Sequence, residues 1–368
     1  MSYNHNVCKE NQCAGCMSCI DICPEKAITI VDSIEYMNAV IDEKRCVKCG
    51  ACYKVCQKNH SAELRYPQKC FQGWGNKNTR ETSSSGGFGQ EIMRAFLQNG
   101  GAVAACKLED GDFKFTLFED ESKVADYIGS KYVKSNPLGI YQIVKKELKS
   151  GKRILFIGLP CQVSAMRNFV NDNRNLYTID LICHGSPSVK ILQQAIQEYG
   201  YHLSEIETIY FRHSNCFAIE TPTIHIVPEG VQDRYTLAFL KGLCYTENCY
   251  SCHYAQTERV GDLTIGDSWG TELNSELSKG VSLILCQTEK GKKMLDLMNF
   301  NFYNVDFEKA IQSNHQLRHP SDLPQAREKF FEDLRRGTSF KKAVFNAYPK
   351  ICIKQNVKEF LIKLHVLP

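Results

Sequence analysis

The sequence predicts an α+β / α/β chain in two parts: a small cysteine-bound unit, then a larger mixed α/β domain with a parallel-sheet core. Three observations predict it. Residues 13–56 carry the block C-x2-C-x2-C-x3-C twice, at a constant offset of 33 residues. A short apolar run bounded by glycine stands at 153–158, as a buried parallel strand requires, and 176–182 reads as a second such strand. A helix-period segment follows each run, and strand–helix–strand–helix alternation argues for a parallel core.

The cysteine unit spans residues 1–63. Its first block is Cys13, Cys16, Cys19 and Cys23; its second is Cys46, Cys49, Cys52 and Cys56. Thiolates at this spacing bind iron–sulfur clusters, three sulfurs of one block gripping one cubane while the fourth reaches the neighbouring one. The expected ligand sets are Cys13, Cys16, Cys19 with Cys56, and Cys46, Cys49, Cys52 with Cys23. This is the bacterial two-cluster ferredoxin pattern, including Pro24 after Cys23; Gln57 stands where the second block would normally carry proline. A zinc site would offer paired C-x2-C units rather than a triplet plus one. Alternating stretches at 27–31 and 39–42 read as the small strands framing such clusters.

A polar link at 76–85 leads into the larger domain, read as 64–152 followed by 153–310. Phe88, Ile92, Ala95 and Phe96 recur at helical spacing over 88–98, after Ser84-Ser85-Gly86-Gly87. Residues 102–107 read as a strand, Phe113, Phe115 and Leu117 share one face of the next segment, and 141–148 reads as a helix. Strand 153–158 leads to helix 162–170, and strand 176–182 to helix 188–199. In the tail, 311–368, Phe330, Phe331 and Leu334 recur at helical spacing, which reads either as helical closure of the domain or as a partner-docking tail.

Composition narrows the classes. The net charge of +4 over 368 residues is small and Lys and Arg are dispersed, so nucleic-acid binding is not indicated. No apolar run is long enough to span a membrane and no secretory h-region is visible, so a cytoplasmic chain with reduced thiols is expected. Nineteen cysteines then read as metal ligands and free thiols.

Ligands of open α/β sheets sit beyond the carboxyl ends of the strands. There the two apolar runs lead into Cys161 and Cys183. Cys249 and Cys252 form a further C-x2-C pair, with Cys244 five residues upstream of it. Cys161, Cys183, Cys249 and Cys252 are the favoured third four-thiolate site; a rival set replaces Cys161 or Cys183 by Cys244, and ordinary buried thiols are the bland reading. Cys8, Cys70, Cys106, Cys216, Cys286 and Cys352 read as unligated. Ser84-Ser85-Gly86-Gly87 before a helix is a phosphate cradle or a simple helix cap. Gly129-Ser130-Lys131-Tyr132 adds a cation and a ring, or is a turn before a strand. Arg259, Asp262 and Asp267 read equally as cofactor-orienting charges or as a salt-bridge network at a strand edge.

These motifs, with Leu159-Pro160-Cys161-Gln162, Asp180-Leu181-Ile182-Cys183-His184-Gly185 and the stretch Arg259-x2-Asp262-Leu263-Thr264-Ile265-Gly266-Asp267-Ser268-Trp269-Gly270, in this order, resemble the beta-subunit family of coenzyme F-420 hydrogenase and dehydrogenase over roughly residues 75–310. The resemblance implies an iron–sulfur flavoprotein domain. It implies FAD near Ser84, Ser85, Gly86, Gly87, Lys131 and Tyr132, and a 4Fe–4S cluster on Cys161, Cys183, Cys249 and Cys252. It leaves open whether the two-electron partner is coenzyme F-420, another small-molecule hydride donor or a redox protein. The function expected is oxidoreductase electron transfer through FAD and 4Fe–4S clusters. The alternative is a non-catalytic electron-transfer subunit of a larger redox complex. A weaker reading is a redox sensor using Cys161 and Cys183 as a reversible thiol pair. No general base emerges, since the cofactors would carry the chemistry.

Overall fold

The computed structural model describes residues 5–212, 217–222 and 226–366. The two cysteine blocks fold as local copies. Gly15 and Met17 in the first, and Lys48 and Gly50 at the same places in the second, all take left-handed backbone. Each pair leads into a five-residue helix, Ser18–Ile22 and Ala51–Val55. Helices this short do not hold themselves in water; here each is bracketed by thiols. The two stretches read as framing strands become β1 (Ile28–Asp32) and β2 (Met37–Ile41), paired antiparallel. At Gln57 the turn survives without proline, because the amides of Asn59 and His60 both donate to the Cys56 carbonyl.

The larger domain is built on one eight-stranded sheet. Its strands are β3 (Lys69–Trp74), β4 (Ala102–Glu109), β5 (Asp112–Phe118), β6 (Ile154–Gly158), β7 (Leu176–Leu181), β8 (Leu263–Asp267), β9 (Ser282–Cys286) and β10 (Asn301–Asn304). Their order is β10-β3-β9-β8-β7-β6-β4-β5. The central four, β4, β6, β7 and β8, run parallel, as the apolar runs predict, and antiparallel strands flank them on both sides.

Helices cover both faces of this centre. Neighbouring strand residues point oppositely: Ala104 and Phe156 pack under helices Ile140–Lys149 and Pro160–Val170, whereas Val103 and Leu155 pack under helix Phe88–Gln98. Ser188 caps helix Val189–Gln197 by accepting from the Lys190 amide. Strand β3 falls within the stretch read as preceding a plain link, and its register with β9 draws that stretch into the sheet.

The small unit is docked rather than tethered. The Tyr141 hydroxyl donates to the Cys16 carbonyl at 2.6 Å, and the Ala62 amide donates to Ser164 Oγ at 2.9 Å. Arg167 donates to the carbonyls of Glu63 and Val260. Glu35, on the β1–β2 turn, pairs with Arg327 and Arg335. Within the tail, Phe330, Phe331 and Phe340 are buried in one core with Ile191 and Tyr235. Helix Pro349–Lys363 keeps Ile353, Val357 and Phe360 exposed.

Candidate metal centres and cofactor cradle

Four thiols of the small unit lie around one opening. Cys23, Cys46, Cys49 and Cys52 line one cavity with Pro24, Ile28 and Ile41. Backbone amides aim at the sulfurs: Ala27 donates to Cys23 Sγ at 3.3 Å and Lys48 to Cys46 Sγ at 3.4 Å. Such N–H···S bonds tune cluster potential.

The first site gathers Cys13, Cys16, Cys19 and Cys56, all buried. The Gly15 amide donates to Cys13 Sγ at 3.4 Å. Burial pushes Cys16 up to about 12. Cys8, which reads as unligated in the sequence, lies against this site. A hydrogen bond from its thiol holds Cys56 down at about 7 and lowers Cys13 as well. No spacing signal reveals Cys8, because chain separation does not report what the hairpin brings alongside.

Beyond the carboxyl ends of β6 and β7, Cys161, Cys183, Cys249 and Cys252 line one cavity. Cys161 stands in the first turn of helix Pro160–Val170, Cys183 just past β7, and Cys249 in the turn Glu247–Ser251. Burial pushes the thiols of Cys161 and Cys252 up, and that of Cys183 up to about 12. Iron binding would convert such neutral thiols to thiolates and release protons. Among the described residues no three His, Cys, Asp or Glu side chains close on a single metal ion; a cubane instead spreads four sulfurs around a whole cluster.

Two further residues join this cavity. Gln57 follows Cys56, is 4% exposed, and its Oε1 has no hydrogen-bond partner among the described residues. Lys134 lies between this cavity and the first site. Cys244, the rival ligand, is fully buried in the apolar core around Tyr235 and does not line the cavity. Cys216 lies outside the described residues.

The loops at 84–87 and 129–132 converge: the Ser130 amide donates to Ser84 Oγ at 2.9 Å. Helix Phe88–Gln98 begins at Gly87, which is left-handed (φ +85°) and gives no side-chain cap, so the first-turn amides keep no side-chain partner there. A Cβ on Gly86 would lie 2.2 Å from the Gly73 carbonyl oxygen, so only glycine lets this loop lie against the sheet. Backbone of this kind suits an anionic cofactor. The two flanking side chains are engaged elsewhere. Lys131 Nζ donates to the carbonyls of Tyr127, Ile128 and Gly129, and Tyr132 stacks on Phe239 with centroids 4.3 Å apart.

Burial pushes Lys131 down to about 8 from 10.5. The folded state therefore holds this proton less tightly than the unfolded chain. The group's stabilisation is present above pH 10.5 and is lost as pH falls through about 8. Wild type should gain on Lys131→Met by roughly 2 to 3 kcal/mol between pH 8 and pH 10.5, read as a difference of urea-unfolding free energies. A flat difference would show that the three carbonyls keep the ammonium ordinary.

The charged residues of uncertain role fall mostly to the network reading. Arg259 and Asp180 form an ion pair with side chains 1% and 0% exposed. Asp262 accepts from the Thr178 amide and hydroxyl and from the Thr288 hydroxyl. Asp267 pairs with Arg212, whose guanidinium lies over Trp269.

Thiol sets on a docked two-block unit and on the edge of a mixed sheet define an iron–sulfur protein of the electron-transfer class. Residues 12–60 match the family model of the 4Fe-4S dicluster domain, and residues 151–304 match the model of the C terminus of the coenzyme F420 hydrogenase/dehydrogenase beta subunit. The chain thus joins a 4Fe–4S dicluster domain to a domain of the coenzyme F420 hydrogenase/dehydrogenase beta-subunit family, an oxidoreductase family. A chain from the structure of the F420-reducing NiFe hydrogenase complex of Methanosarcina barkeri shares the fold, with a TM-score of 0.50 at 17% identity, covering 74% of this chain and 95% of that one. A search of curated proteins gave no significant match. Among the described residues no helix is long and apolar enough to cross a membrane.

Proposed function

We propose that this chain is an iron–sulfur flavoprotein oxidoreductase, passing electrons between a two-electron donor or acceptor, such as coenzyme F-420, and a partner or substrate by way of FAD and three 4Fe–4S clusters. The observation that carries this reading is the third cavity: four thiols from three separate segments line it, directly beside the first ferredoxin-type site. FAD, when bound, supplies the exchange between hydride chemistry and single electrons.

The chain's own residues position and insulate. Ser84, Ser85, Gly86 and Gly87 offer backbone to the cofactor's anionic groups, and Lys131 and Tyr132 brace the facing loop through their carbonyl bonds and stacking. Cys161, Cys183, Cys249 and Cys252 hold the third cluster; Cys13, Cys16, Cys19 with Cys56, and Cys46, Cys49, Cys52 with Cys23, hold the other two. Tyr141 and Ser164 lock the two units together, which keeps the transfer distance constant.

Anaerobic reconstitution should yield FAD and about twelve irons, four per cubane. Absorbance is then followed on adding deazaflavin, NADH, NADPH and reduced ferredoxin in turn. Bleaching by one of them supports the oxidoreductase and names its donor; protein loaded with iron but without flavin overturns it. Loaded protein inert to all four would favour the second reading, an electron-transfer subunit that needs a catalytic partner. That reading draws on the exposed Ile353, Val357, Phe360 and Leu364, spaced 4, 3 and 4 apart at the end of the chain's last helix.

A further inference from the structure

We infer that Lys134 is the shared counter-ion of the first ferredoxin-type site and the third thiol site, its buried ammonium raising the reduction potentials of both clusters together. The inference rests on the three-cluster reading above and adds to it the residue that joins two of the sites.

The lysine is held on every side. Its amide donates to the Pro187 carbonyl at 2.8 Å. The next residue, Ser135, accepts from Gln162 Nε2 at 2.8 Å. Its side chain runs past Gly15, where a Cβ would lie 3.0 Å from Lys134 Cδ and 2.6 Å from Met37 Sδ. Gly15 also takes φ +68°, so the first cysteine block needs glycine there both for its turn and to admit the lysine. Nζ donates to the Ala14 carbonyl at 3.0 Å, between Cys13 and Cys16.

The residue is only 6% exposed, and among the described residues no carboxylate pairs with it. A buried ammonium without a counter-charge is costly. The anions that iron loading would set beside it are the cluster thiolates. Its field reaches Cys13 on one side and Cys161 and Cys183 on the other, and its side chain lines the cavity that those last two share with Cys249 and Cys252. It does not line the distal cavity of Cys23, Cys46, Cys49 and Cys52.

Reduction adds one electron, and so one negative charge, to a cluster. A fixed cation close by in a low-dielectric interior favours the reduced form and raises the potential. One cation between two clusters raises both. An electron passing between them oxidises one as it reduces the other, so no further reactant is needed, and the shared cation lifts both relative to the distal cluster. The distal cluster, lacking this cation, is left at a separate potential.

EPR-monitored redox titration of the reconstituted full chain tests this, comparing wild type, Lys134→Gln and Lys134→Arg at matched iron content. Cys49→Ser in each background identifies the distal signal. Lys134→Gln should lower two of the three midpoints and leave the distal one in place, and Lys134→Arg should restore both. Selective loss of the first and third clusters from the Gln variant alone would also support the inference. It is overturned if all three midpoints stay, if all three move alike, or if the Gln variant loses all three clusters. A wild-type content of about eight irons would instead sink the three-cluster reading itself.

Discussion

Cys161→Ala should leave a reconstituted protein with about eight irons in place of about twelve. The residue supplies one of four thiols to a cavity whose other donors come from distant segments, so no neighbour can slide in to replace it. The two ferredoxin-type sites take every ligand from residues 13–56 and should keep their iron. Reduction of a bound flavin by its donor should persist, while the ferredoxin-type EPR signals should no longer appear on adding that donor. The measurement is iron content with EPR after donor addition. Iron unchanged in Cys161→Ala but lowered in Cys244→Ala would move the site to the rival ligand set, against the burial of Cys244 in an apolar core. Loss of a disulfide with no loss of iron would favour the thiol-sensor reading.

Asp180→Ala should destabilise the fold by about 3–5 kcal/mol, the scale on which removing one partner strands a buried charge. One carboxylate oxygen accepts from Arg259 Nη2 at 2.8 Å; the other accepts from the amides of Val260 at 3.1 Å and Gly261 at 2.8 Å. Without it, a guanidinium 1% exposed loses its counter-ion and two buried amides lose their acceptor. Arg259 also donates to the carbonyls of Tyr254 and Leu181, so this pair pins the end of β7, which leads to Cys183, against the segment that carries Cys252. The loss is a large part of a typical domain's 5–15 kcal/mol. Denaturant unfolding of the apo-protein measures it directly, and a change under about 1 kcal/mol would show that water reaches the pair. Third-site iron should fall in the same variant.

Much of this architecture is legible in the residues. Thiol spacing speaks for itself, because ligand geometry over three or four residues is local: both cysteine blocks fold as the repeat implies. The parallel centre is legible for a related reason. A strand buried on both faces is mostly apolar, and β6 reads that way throughout, while β7 does so but for Thr178 and Asp180, whose partners are buried with them. Strand β3 was not legible, since Lys69–Trp74 is neither alternating nor continuously apolar and acquires its identity from pairing with β9 and β10.

The site divides along the same line. That Cys161, Cys183, Cys249 and Cys252 belong together was an argument from strand ends and a C-x2-C pair; their common cavity is a property of the packed chain. Cys8 and Lys134 carry no signal of spacing or motif, Gln57 shows only as a departure from proline, and Lys131 and Tyr132 present an inviting cation and ring whose side chains turn to carbonyls and to Phe239. The order of residues is enough to specify the chemistry of the small unit, 4Fe–4S clusters held by thiolates, and the parallel centre of the larger domain, because ligand type and periodicity are read residue by residue. Packing in three dimensions settles the rest: which thiols share a cavity, which charges are spent on one another, and that a buried lysine stands between two of the sites. Burial and proximity belong to the packed chain, and no local pattern encodes them.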